Sequence, residues 1–198
     1  MCIRDRELTG CHIYGKAEYF NPGESVKDRA ALFIVKDALK RKLISKGGTI
    51  VEGTAGNTGI GLAIVCKEYG LNLKIVIPKT QSIEKKETLK ELGAELIEVD
   101  AVPYADPKNY IKQSKQIAED LNKTNSSGVY WANQFDNIVN TEAHIQTTAE
   151  EIWSQTAGSV DGFTCAVGTG GTLAGVSICL KDKNKNIKIA LSDPMGSS

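Results

Sequence analysis

No apolar run in the chain approaches the roughly 18 residues needed to cross a bilayer, so no membrane-spanning helix is expected. Met1 to Arg6 has no apolar core of the kind a signal peptide carries, and no periodicity. It reads as a foreign start and lies outside the fold argument. Neither sign of charge is in excess: 24 Lys and Arg face 24 Asp and Glu, with a pI near 6.7. A nucleic-acid or membrane-surface partner is therefore not expected. Five cysteines are scattered at Cys2, Cys11, Cys66, Cys165 and Cys179, with no Cys-x-x-Cys pair among them. That excludes the usual zinc and dithiol signatures, and no metal is expected. An odd set of dispersed thiols suits a reducing, cytoplasmic compartment. Internal repeats and low-complexity segments are lacking too.

What is present is a globular core, 41% of the residues being hydrophobic. A length of 198 residues suits one large domain or two small ones. Strand-like and helix-like stretches alternate. Strands are expected over Cys11–Phe20, Gly48–Glu52, Asn72–Ile77, Ala94–Val99, Val129–Ala132, Gly162–Val167 and Ile187–Asp193. Helices are expected over Val26–Leu43, Thr58–Tyr69, Ser82–Leu92, from Asp106-Pro107 onward, over Thr141–Gln155 and over Leu173–Leu180. Gly70 and Gly93 sit where helices close. This alternation predicts an α/β fold: open, twisted, mainly parallel sheets flanked by helices. In such sheets, ligands bind beyond the carboxyl ends of the strands.

Three stretches carry chemistry. The first is Asn21-Pro22-Gly23-Glu24-Ser25-Val26-Lys27-Asp28-Arg29. Pro22 and Gly23 make a turn, Ser25 caps a helix, and Lys27 falls in its first turn. A helix N-terminus favours anions over ammonium, so a lysine held there and desolvated tends toward the nucleophilic amine. The bland alternative is a solvated surface lysine. The second stretch, Thr54-Ala55-Gly56-Asn57-Thr58-Gly59, joins a buried strand to a helix. It reads either as an anion-holding loop or as a tight βα turn. It lacks the dinucleotide fingerprint, because Ile64 stands where the third glycine belongs. The third, Gly168-Thr169-Gly170-Gly171-Thr172, again lies between strand and helix. It has the hydroxyls and free N–H groups of a phosphate cradle but no P-loop lysine, and Leu173 breaks the dinucleotide pattern. The polar run Asn133 to Asn137 ends a buried strand and either lines a crevice or is ordinary loop. His12 reads as a packed or surface histidine. His144 has no Ser or Asp partner pattern and is given no catalytic role.

An activated lysine, an anion loop and a phosphate cradle together suit pyridoxal 5′-phosphate, which needs an amine for its aldehyde and a cradle for its phosphate. The combination resembles the cysteine synthase / cystathionine β-synthase family of fold type II pyridoxal-phosphate enzymes, over about residues 7 to 198. Cys165-Ala166-Val167 and the glycines that follow look most like its cysteine-synthase branch. The resemblance implies that Lys27 is the cofactor lysine and general base. It implies that Asn57 bonds the ring 3′-oxygen and that Gly168, Thr169, Gly170, Gly171 and Thr172 bind the phosphate. Substrate binding would fall to Thr54, Ala55, Gly56 and Thr58, with Gln134 a further carboxylate contact. The reaction implied is β-replacement, making cysteine from O-acetylserine and sulfide in a homodimer. A cystathionine β-synthase, a serine/threonine dehydratase and a non-catalytic binding protein are the alternatives.

The chain departs from the family pattern in four ways. Glu24 stands where many members have glycine, and a positive φ there would cost roughly 1–2 kcal/mol. Ala55 replaces a serine and removes a hydroxyl donor. The family's later half supplies a contact to the pyridine nitrogen that has no counterpart here, and the segment before Leu8 looks lost. The expected layout is an N-terminal segment over 1–19, an α/β domain over 20–136 and the start of a second, incomplete domain over 137–198. As it stands, this chain is expected not to turn over substrate.

Overall fold

The computed structural model describes residues 3–195. Helix α1 (Ile3–Thr9) leads through an exposed segment to a short 3-10 turn (Glu18–Phe20) and then α2 (Lys27–Lys40). Next come β1 (Thr49–Gly53), α3 (Asn57–Tyr69), β2 (Asn72–Pro78), α4 (Ile83–Glu91), β3 (Glu95–Val99), α5 (Tyr110–Asn122) and β4 (Val129–Trp131). One long rod follows, made of α6 (Val139–Ala143), a π-helical segment (His144–Ala149) and α7 (Glu150–Gln155). Strand β5 (Gly162–Cys165), helix α8 (Gly171–Lys183) and strand β6 (Lys188–Leu191) complete the described chain.

Strands β3, β2, β1 and β4 form one parallel sheet in that order, and β5 pairs with β6 in a second parallel sheet. Every residue of β1 is buried, as expected of a central strand covered on both faces. Its register runs Thr49 to Asn72 on one side and Thr49 to Val129 on the other. One face packs on α2 and α3 through Ile34, Val35, Ile50, Leu62 and Ile75. The other packs on α5 through Val51, Val76 and Ala118. A separate core of Ala149, Val176, Leu180 and Ile187 joins the rod, α8 and β6.

The local signals explain most boundaries. Gly70 closes α3 in the left-handed conformation at φ 64°. Ser82 caps α4, its Oγ accepting from the Lys85 amide. Ser25 Oγ accepts from the Lys27 amide at 3.3 Å, one residue ahead of the N-cap Val26.

Several expectations need correcting. No strand forms over 11–20: Ile13 and Tyr14 are exposed, and no neighbouring strand lends them an edge. Asp106 does not cap α5. Its carboxylate accepts from the Lys108 amide at 2.7 Å in a local turn, and Asn109 becomes the cap by accepting from the Ile111 amide at 3.0 Å. The helix expected from Thr141 starts at Val139 and widens to π geometry. Strand β5 stops at Cys165, and α8 runs from Gly171 to Lys183, three residues beyond Leu180. Helix α1 begins at Ile3, inside the stretch Met1 to Arg6 expected to lack periodicity, while Met1 and Cys2 lie outside the described residues.

Candidate active site

Lys27 occupies the first position of α2, Asn57 the first of α3 and Gly171 the first of α8. The starts of α2 and α3 touch: a Cβ added to Gly61 would lie 3.2 Å from Asp28 Cα and from Ala31 Cβ. Burial lowers the proton affinity of the Lys27 amine, with Cys165 opposing. A positive charge is disfavoured there for two reasons, desolvation and the helix N-terminus. Lys27 and Cys165 influence each other's charge, so the amine lies within electrostatic range of the end of β5. The turn before Lys27 is tied down by the Gly23 amide, which donates to Asp28 Oδ2 at 2.5 Å. Glu24 takes φ 57°, the strained conformation that glycine would adopt freely.

At the loop after β1, Thr54 and Thr58 are buried, Ala55 and Gly56 are half-buried and Asn57 is exposed. Thr54 Oγ1 accepts from the Gly56 amide at 3.1 Å, and the Ala55 carbonyl accepts from the Gln81 side chain. Gln134 is buried in the turn that follows β4, and its Oε1 accepts from the Thr58 hydroxyl at 2.5 Å. The structure thus joins two sequence-derived site residues 76 positions apart.

Glu52 lies behind this pair. It is only 1% exposed, and its Oε2 has no hydrogen-bond partner. Burial pushes its carboxyl up to about 8, opposed by the amides of Gln134 and Asn133 and by the Gln134 side chain.

The Gly168–Thr172 loop opens α8. Gly170 is left-handed at φ 85°, and a Cβ added at Gly168 or Gly170 would meet nothing within 4 Å. The Ala174 amide returns to the Gly170 carbonyl, so the N–H groups of Gly171, Thr172 and Leu173 precede the helix's own bonding and face the loop. Open space above two glycines, free donors and two threonine hydroxyls fit a phosphate.

Three further residues were not legible in the sequence. Buried Asn140 donates to the Gln134 carbonyl at 3.0 Å and to Thr169 Oγ1 at 2.9 Å. His144, given no role above, is buried between Thr148 Oγ1 at 2.9 Å and Thr172 Oγ1 at 3.2 Å. Burial, reinforced by the charges of Lys27 and Arg29, pulls the imidazole down to about 4, so it is neutral near pH 7. Arg29 binds Glu18 at 2.8 Å and Glu151 at 2.7 Å, holding the lysine-bearing helix against α7. No group of metal-binding side chains occurs among the described residues. Among them, too, no helix is long and apolar enough to cross a membrane.

A half-buried lysine at one helix start, an anion-suited loop at a second and a phosphate-suited loop at a third are the chemistry that pyridoxal phosphate needs, set on an α/β scaffold. The chain belongs to the family described as pyridoxal-phosphate dependent enzymes, whose model matches residues 2–198. Among curated proteins it is 56% identical over 192 residues to cysteine synthase 1 of Neurospora crassa, covering 96% of this chain and 50% of that protein. It is 48% identical over 193 residues to the cysteine synthase of Dictyostelium discoideum, covering 96% and 49%. Among solved structures it matches the cysteine synthase of Entamoeba histolytica with a TM-score of 0.78 and 41% identity, covering 90% of this chain and 51% of that one. An O-ureido-L-serine synthase structure matches with a TM-score of 0.83 and 36% identity, covering 92% and 56%. The fold is therefore that of the fold type II enzymes, and pyridoxal phosphate is the cofactor these likenesses indicate. The chain spans about half the length of the curated relatives it matches.

Proposed function

We propose that this chain supplies the lysine, the carboxylate loop and the phosphate loop of a pyridoxal-phosphate dependent cysteine synthase. The reaction is β-replacement, in which sulfide displaces the leaving group of an activated serine such as O-acetylserine. The observation that carries the reading is the position of Lys27. It starts α2, burial disfavours its charge, and its charge is felt at Cys165, the last residue of β5, after which the Gly168–Thr172 loop follows. The names of the matched relatives, which are cysteine synthases, support the reaction type.

In this reading Lys27 would anchor the cofactor and, as a free amine, would accept the substrate's α-proton. Gly168, Thr169, Gly170, Gly171 and Thr172 would hold the phosphate, and Asn57 would bond the ring's 3′-oxygen. Thr54, Ala55, Gly56 and Thr58 receive the substrate carboxylate, with Gln134 behind Thr58. The bound ring supplies the electron sink, while the chain supplies position and charge.

The domain boundary falls near residue 136, between the four-stranded sheet and the rod. A homodimer would find an apolar contact in Tyr19 and Phe20, whose rings meet and which are 66% and 81% exposed. A cytoplasmic setting fits the free thiols of Cys11, Cys66, Cys165 and Cys179.

The test is chemical. The chain is incubated with pyridoxal phosphate, reduced with borohydride and digested, and the labelled peptide is sequenced. Label on Lys27 is expected, and label on another lysine removes the assignment. Assay of cysteine formation from O-acetylserine and sulfide, in a chain extended to the length of its relatives, tests the reaction itself.

A further inference from the structure

Asn140 is 4% exposed, and its two side-chain protons are both spent on groups of the candidate site. One goes to the Gln134 carbonyl at 3.0 Å, the other to Thr169 Oγ1 at 2.9 Å. Each recipient leads to a different loop. Gln134 Oε1 accepts from Thr58 at 2.5 Å, so that branch ends in the loop after β1. Thr169 lies in the Gly168–Thr172 loop, and its oxygen, already accepting from Asn140, keeps its own O–H for a ligand. Gly171 packs directly on the Asn140 amide, with no room for a Cβ between them. The amide is therefore held on three sides, by the Gln134 carbonyl, Thr169 and Gly171.

We infer that Asn140 is a positioning residue that couples the two anion sites, so that a phosphate on the Gly168–Thr172 loop orders Gln134 and Thr58 for a carboxylate. The physical route is polarisation at Thr169, followed by positional restraint of the Asn140 amide. An anion accepting from the Thr169 O–H makes the Thr169 oxygen a better acceptor for Asn140 Nδ2. A tighter Asn140 then holds the Gln134 backbone, and with it the side chain that receives the Thr58 hydroxyl. Coupling of this kind is reciprocal, so a carboxylate at Thr58 strengthens phosphate binding by the same factor. The inference rests on the proposed phosphate loop, but it uses no chemistry of the cofactor.

The experiment is an NMR titration of the chain with inorganic phosphate alone. It follows the Gly170 to Leu173 amides, the Gln134 side-chain amide and the Thr58 methyl. In the native chain, Gln134 and Thr58 are expected to shift with the same midpoint as the loop amides. In Asn140→Leu, which keeps the branched shape and loses both donors, the loop still shifts while Gln134 and Thr58 stay put. Loop shifts without a response at Gln134 and Thr58 in the native chain overturn the coupling, and that measurement needs no variant to fold. An undiminished response in Asn140→Leu also overturns it. If the loop amides themselves ignore phosphate, the phosphate-loop reading fails and takes this inference with it, so the two failures are distinct.

Discussion

His144 Nε2 lies 3.2 Å from Thr172 Oγ1, so an uncharged imidazole buried in the π-helical segment sets the direction of a threonine hydroxyl in the phosphate-type loop. Removing it leaves Thr172 without its protein partner. His144→Ala is expected to weaken pyridoxal phosphate binding three- to tenfold, from the roughly 0.5–1.5 kcal/mol of a neutral hydrogen bond. Equilibrium titration by absorbance measures this, and equal affinity in the variant would show that Thr172 needs no support.

The same imidazole sets an acid limit. Its proton affinity in the fold, at about 4, lies below the ordinary 6.5. Folding therefore favours the neutral form, and the unfolded chain binds the extra proton. The contribution is whole above pH 6.5 and lost as pH falls toward 4, on the order of 3 kcal/mol in all. Urea midpoints measured across that window should fall with pH in the native chain and flatten in His144→Gln.

Glu52 works in the opposite direction. Its carboxyl is raised from 4.5 to about 8 by burial, so the fold holds the proton and the unfolded chain releases it. The stabilising contribution is complete below pH 4.5 and is lost as pH rises through 8. Glu52→Gln should gain stability over the native chain by a few kcal/mol between pH 4.5 and 8 (about 1.4 kcal/mol for each pH step of one), with no further gain above it. Parallel stability curves for the two would show that Glu52 is ionised in the fold.

Glu24 carries φ 57° in the turn before Lys27. Relief of roughly 1–2 kcal/mol by glycine is offset by about 0.5–1 kcal/mol of extra unfolded-state entropy. Glu24→Gly is expected to stabilise by about 1 kcal/mol in denaturant unfolding. A destabilised variant would mean that the glutamate side chain contributes more than its backbone strain costs.

Arg29 joins Glu18 and Glu151, with its own side chain 14% exposed and that of Glu151 38% exposed. Partial exposure places the pair between a surface bridge and a buried one, so Arg29→Met should cost about 1–2 kcal/mol. Because the Arg29 guanidinium holds the Glu151 carboxyl down to about 2, native stability falls as pH drops from 4.5 toward 2. That acid limb should shrink in the variant, as followed by circular dichroism.

The lines between sequence and structure fall where the physics is local. Gly70 and Gly93 mark helix ends because a left-handed residue leaves its mark on the chain itself. The apolar run at β1 reads as a buried strand because both faces are covered. The three site loops are legible for the same reason, each being a helix start with its own short signature. His144 and Thr172 are 28 residues apart, Asn140 and Thr169 are 29, and Arg29 and Glu151 are 122. No periodicity or capping rule spans such gaps, so these supports emerge only when the elements pack. The false strand over 11–20 is the converse case, a strand-like composition with no edge to join.

Strand β1 takes its second neighbour, β4, from far along the chain: Thr49 pairs with Val129. During synthesis at about 5–20 residues per second, the ribosome needs roughly 4–16 s to travel from one to the other. For that interval the fully buried strand Thr49–Gly53 can pair only with β2, and its other edge is bare to every nearby nascent chain. Slow decoding between residues 54 and 128 would lengthen that exposure, so yield in the cell would depend on translation speed through this stretch as well as on the stability of the finished fold.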